Sequence, residues 1–150
     1  MSKKKRILVV LGGVSKEREI SLETGLSCIK ALKKLKYKVV KFDPKFSPIS
    51  DIKKNNADII FNALHGKGGE DGNIQSFFEH IGLPYTHSGP LASMLAMNKD
   101  FSKQLFIKNK ISTPRYFYLN KINFTKKNIK KKIKNNKLKF PIVLKPNDEG

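Results

Sequence analysis

Residues 7–11, Ile-Leu-Val-Val-Leu, form an unbroken apolar run that stops at Gly12-Gly13. A strand with one wet face alternates apolar and polar side chains, whereas a strand covered on both faces reads as a continuous apolar run, the mark of parallel sheets flanked by helices. The run therefore predicts an interior strand of an α/β sheet. The next residues keep the rhythm. Ser15 is a candidate N-cap, and Glu17 and Glu19 fall in a first helical turn, where the helix dipole favours negative charge. Ile20, Leu22, Leu26, Ile29, Leu32 and Leu35 then recur at mostly three- and four-residue spacing, with Cys28 expected in the core among them. Further strands are predicted over 37–42, 59–64, 83–86, 115–119 and 140–146. Helices are predicted over 73–81, over 90–110 with a break near Asn98, and through the lysine-rich segment. This order, β-α-β-β-α-β-α and then β-α-β, argues an α/β domain with a mostly parallel sheet, followed by the start of a second unit.

In such sheets ligands bind where loops leave the carboxyl ends of the strands. Two glycine clusters fall at those ends, Gly12-Gly13 and the stretch from His65 to Gly72, and are expected to face one crevice. Bare backbone there lets N–H groups approach a ligand, and each following helix turns its positive end to an anion. Two phosphate motifs are excluded. After Gly66 and Gly68 the third glycine of a dinucleotide fingerprint is replaced by Asp71, and Phe61 stands where a P-loop needs its first glycine. The three histidines form no H-E-x-x-H, and one cysteine provides no usual zinc site. Glu70-Asp71 reads as a cap and hydrogen-bond partner, and His65 as a ligand contact.

Charge bears on partners. The net charge is +19, and nine lysines with no acid lie between Lys121 and Lys139. A basic helix can grip phosphates. This one lacks clustered arginines and stacking aromatics, and Lys, Ile and Asn rise together along the whole chain, so a solvated face is expected rather than a nucleic-acid or membrane surface. The opening apolar run is too short for a signal peptide and has no small-residue cleavage site, which points to the cytoplasm.

The stretch "HGKGGEDGNIQS" resembles the signature of D-alanine-D-alanine ligases, H-G-x-x-G-E-D-G followed by any residue, an aliphatic, Gln and a small residue, at every fixed position. "LGGVSKEREISLETG", "GLPYTHSGPLASMLAMNKDFSKQLF" and "FPIVLKPNDEG" resemble further blocks of the family, in family order. The resemblance implies a Rossmann-like N-terminal domain of the kind that precedes an ATP-grasp domain, over 1–96, with the beginning of the ATP-grasp domain over 97–150. It implies ATP-dependent joining of two D-alanines through an acyl phosphate for peptidoglycan, with Mg2+ or Mn2+, and a homodimer. By position it implies Glu17 holding the ammonium of the first D-alanine, Ile20 flanking its methyl, and His65 near its carboxylate or the incipient phosphate. Gly66, Gly69, Glu70, Asp71 and Gly72 build the signature loop; that Glu70 orients the imidazole is a reading of the residues themselves and not of the resemblance. Lys99 and Lys145 match lysines that contact ATP phosphates.

His87 departs from the glycine expected in "YTGSG", and Asn147-Asp148 from a pair usually ending in arginine. The family's metal carboxylates and second-substrate residues belong to sequence beyond Gly150, so no metal ligand is assigned here. The 150 residues alone are expected to be an incomplete, inactive ligase, and a second substrate of D-lactate or D-serine stays open. Two other classes are carried as alternatives: a non-catalytic small-ligand module keeping the D-alanine crevice, and a basic nucleic-acid binding protein.

Overall fold

The computed structural model describes residues 4–149. Three parallel strands, β1 (Arg6–Val10), β2 (Lys38–Phe42) and β3 (Ile59–Asn62), make a sheet in the order β2-β1-β3. The apolar run is thus the central strand, as its composition requires. Its register is continuous on both sides, from Arg6 opposite Lys38 to Val10 opposite Phe42, and from Ile7 opposite Ile59 to Val10 opposite Asn62.

Successive side chains of β1 point to opposite faces and enter two cores. Leu8 and Val10 join Phe42, Ile60, Leu64 and Ile52, the last from a 3-10 segment over Ile49–Asn55, under Ile74 and Phe78 of α2 (Asn73–Ile81). Ile7, Val9, Leu11 and Ala63 pack on the other side against Leu22, Ile29 and Leu32 of α1 (Arg18–Lys34). Gly25 lets α1 lie close to the sheet: a Cβ there would stand 2.5 Å from that of Leu11. Ile20, Leu26 and Leu35 share the helical spacing but are exposed, and Cys28 is only half-buried, so the core face of α1 is narrower than the periodicity suggests.

α2 occupies the expected residues, and 90–110 divides at Asn98 into α3 (Pro90–Met97) and α4 (Lys99–Lys108), with the Asn98 side chain capping α4 by accepting from the Phe101 amide. The lysine-rich helix is α5 (Lys126–Asn135), on which no residue is buried.

Three expected strands are not formed. At 83–86 there is a single bridge, Ile60 to Tyr85. Pro84 has no N–H to give, and the Asn62 amide donates to the Thr86 hydroxyl instead of a backbone carbonyl, so a side chain ends the ladder. Over 115–119 and 140–146 the chain is irregular, with Phe140, Val143 and Leu144 each at least three-quarters exposed. A strand exists only through its ladder, and among the described residues none pairs with these segments.

Candidate functional site

The expected common crevice forms. A cleft of about 300 Å³ is lined by Gly12, Gly13, His65, Gly68 and Gly69, with Leu64, Ile74 and Phe77 at its apolar base.

Beside it the start of α1 meets the signature loop. Ser15 does not cap the helix. Its hydroxyl accepts from the Glu17 amide at 3.1 Å and donates to the His65 carbonyl at 2.8 Å, stitching the two loops together, while Glu17 itself takes the cap position. Ser21, one turn on and fully buried, donates to the Ala63 carbonyl at 2.7 Å and accepts from the Gly12 amide at 2.8 Å. Arg18 forms a bidentate pair with Asp43, 2.8 and 3.2 Å, and donates to the Gly13 carbonyl at 2.7 Å. Burial pushes the Asp43 carboxyl up, but hydrogen bonds from Arg18 and from the Lys45 and Gly13 amides, with the Arg18 charge, outweigh it and hold the group below the usual carboxylate range. The glycine turn before α1 is therefore pinned at three points.

The signature loop holds itself in the same way. Glu70 Oε2 accepts from the Gly66 amide at 2.7 Å, and Asp71 accepts from the Gly68 and Asn73 amides at 2.8 and 3.2 Å. Asp71 thus serves the loop and the start of α2, as a capping acid does. Gln75, wholly buried, accepts from the Gly72 amide and donates to the Gly69 carbonyl, where Asn62 donates too. Gly66 is at φ 69°, and a Cβ there would stand 2.5 Å from Glu17 Oε1, so only glycine admits the carboxylate.

The result is that Glu17, His65 and Glu70 come together, one ligand atom of each lying within 4.8 Å of the others. His65 Nδ1 is 3.8 Å from Glu70 Oε1, and its Nε2 is 3.2 Å from the Thr24 hydroxyl on α1. Two carboxylates and one imidazole suit a small cation such as a protonated amine. Ile20, one turn along α1 from Glu17, is exposed. Lys99 opens α4: its amide donates to the Asn147 carbonyl at 2.9 Å and its ammonium to the Glu149 carbonyl. Lys145 is exposed, close in sequence to that segment, and Lys16 reaches Glu149 at 2.9 Å.

The family model for the D-ala D-ala ligase N-terminus matches residues 44–88. A D-alanine-D-alanine ligase of Pelagibacter ubique is 51% identical over 97% of this chain, and one from the Wolbachia of Brugia malayi is 42% identical over 96%. The chain belongs to the D-alanine-D-alanine ligase family. It spans about half the length of the curated relatives it matches, 47% and 40% for these two. The crystal structure of the Bacillus anthracis D-alanine-D-alanine ligase complexed with ATP superposes with a TM-score of 0.76 at 38% identity, over 97% of this chain and 48% of that one. A D-Ala:D-Ser ligase from Enterococcus faecalis gives 0.70 at 25% identity, over 99% of this chain and 53% of that one.

Within the family's pattern His87 stands out, and the backbone explains why glycine is expected there: His87 is at φ 95°, in the left-handed region. Its Nδ1 lies 3.2 Å from Asn62 Nδ2 and 3.3 Å from Gln75 Nε2. Both amides can only donate, so Nδ1 must accept and the ring is neutral with its proton on Nε2. Burial lowers its pKa below the usual histidine value; the Glu70 charge pulls it up and His65 pushes it further down. A histidine whose folded pKa is depressed favours the fold while neutral. That stability is present above the unfolded pKa of about 6.5 and is lost as pH falls below it toward the folded value. Urea midpoints at pH 7.5 and 5.5 are accordingly expected to fall more for the wild type than for H87Q. Equal falls would contradict the neutral ring.

Proposed function

We infer that this chain carries the site for the first D-alanine of a D-alanine-D-alanine ligase. The observation that supports the reading is the convergence of Glu17, His65 and Glu70, beside a glycine-built crevice at the carboxyl ends of β1 and β3, in a chain of this family. In this reading Glu17 pairs with the substrate ammonium, Ile20 flanks the methyl, and His65 donates toward the carboxylate, with Glu70 orienting the ring. Two charged anchors and one apolar contact fix both the hand and the angle of a three-carbon amino acid, so that its carboxylate is presented in one orientation before chemistry.

A carboxylate is a poor electrophile, and ATP supplies the phosphoryl group that turns its oxygen into a leaving group, so that the amine of the second amino acid can form the peptide bond as inorganic phosphate departs. The lysines fit phosphate oxygens: Lys99 stands at the N-terminus of α4, and exposed Lys145 is close in sequence to the segment that meets it. In the full-length relatives the carboxylates for Mg2+ or Mn2+ and the choice of second substrate would belong to the length that this chain does not span. The product would serve peptidoglycan synthesis in the cytoplasm.

Alone, the 150 residues should release no phosphate from ATP on addition of D-alanine. Joined to the remaining length of the Pelagibacter ubique relative, they should yield D-alanyl-D-alanine. A folded fusion that makes no dipeptide, in an assay where the intact relative does, would overturn the reading.

A further inference from the structure

His65 has two ring nitrogens and therefore two neutral forms, and its chemistry depends on which nitrogen carries the proton. Nδ1 faces the acidic side of the site, 3.8 Å from Glu70 Oε1. Nε2 faces α1, with the Thr24 hydroxyl at 3.2 Å. Glu70 Oε2 is already taken by the Gly66 amide, which leaves Oε1 toward the ring. A proton on Nδ1 is drawn toward the neighbouring carboxylates, and a lone pair there would be repelled by them. Nε2 then needs a donor, and Thr24 is the residue that offers one. A helical threonine can turn its hydroxyl proton to the carbonyl four residues back; here the oxygen lies instead within reach of the imidazole. The ring bridges α1 and the signature loop and is partly buried.

We propose that Thr24 is a positioning residue. It donates to His65 Nε2 and fixes the plane of the ring, in the form with the proton on Nδ1, the side that faces Glu70. The role of Thr24 rests on the first-D-alanine reading for its purpose, though not for its geometry. Thr24 touches no reacting atom and acts only through His65. Serine at 24 would keep the donor, whereas valine would keep the shape and remove it.

Side-chain nitrogen chemical shifts of 15N-histidine-labelled protein test this directly, because protonated and unprotonated ring nitrogens differ widely and the chain has only three histidines. Without ligand, His65 should show Nδ1 protonated and Nε2 as acceptor in the wild type and T24S. In T24V, with a backbone amide spectrum otherwise unchanged, the Nε2 signal should move to the position of an unprotonated nitrogen that accepts no hydrogen bond. D-alanine binding should weaken about tenfold in T24V and recover in T24S, the loss of one hydrogen bond's worth of orientation. Unchanged His65 shifts in a folded T24V overturn the proposal whatever D-alanine does. The expected shift change with no D-alanine binding by any variant, wild type included, leaves Thr24 as the positioning residue and removes the ligand reading instead.

Discussion

The S21A variant is expected to lose about 3 kcal/mol of stability. The Ser21 hydroxyl is fully buried and bonded twice, to the Gly12 amide at the end of β1 and to the Ala63 carbonyl just past β3. Alanine removes both bonds and admits no water in their place. Each buried backbone group left without its partner costs about 1–3 kcal/mol, far more than the net value of a bond exchanged for water. In a chain of this size that corresponds to a fall of roughly 6–12 °C in Tm, measurable by urea or thermal unfolding. Because Ser21 also opens the first helical hydrogen bond, its amide donating to the Glu17 carbonyl, the loss is transmitted to the turn that holds Glu17. A change within about 0.5 kcal/mol would be the size of an ordinary surface substitution and would mean that the hydroxyl is not the bridge.

The second large effect is on binding. E17Q keeps the size and shape of the side chain but deletes the charge that the substrate ammonium would meet. Removing one partner of a close, partly desolvated charge pair costs about 2–5 kcal/mol, between about thirtyfold and several thousandfold in affinity. For a ligand as small as D-alanine that is the difference between saturable binding and none. Stability should hardly move, since the described side-chain contacts of Glu17 with Gly66 are steric and its structural hydrogen bonds are made by its backbone. Calorimetric titration of both proteins with D-alanine, beside their urea midpoints, separates the two effects. A variant that binds as the wild type does would place the ammonium elsewhere.

Much of this architecture is legible in the residues. A continuous apolar run has only one comfortable place, the middle of a parallel sheet, and β1 takes it. α2 begins and ends where the pattern puts it, because Gly72 precedes it and Gly82 follows, the latter in the left-handed conformation that closes a helix. Glu17, His65 and Glu70 can be singled out because their types and neighbours are unusual. The groups that hold them cannot. Ser21, Thr24, Asn62 and Gln75 are polar residues inside otherwise apolar periods, where they look like interruptions; each is satisfied by a partner distant in sequence or hidden in a turn. The one available signal is Gln75, three residues after Gly72, the spacing of a capping pair. Side-chain competition also explains the departures at Ser15 and Thr86, whose hydroxyls serve a neighbouring loop and the end of a ladder instead of the local element. Beyond residue 114 the pattern suggests strands, but hydrogen-bond partners are a property of the sheet and not of the segment, and propensity carries no information about them.

The central claim is that the first D-alanine binds between the start of α1 and the signature loop. Backbone amide spectra of the 15N-labelled chain, recorded through a titration with D-alanine and again with L-alanine, test it most directly. Saturable shifts are expected for D-alanine at Glu17, His65, Gly66 and Glu70, with L-alanine causing far smaller ones. Equal responses to the two enantiomers, or D-alanine shifts confined to residues away from this junction, would contradict it.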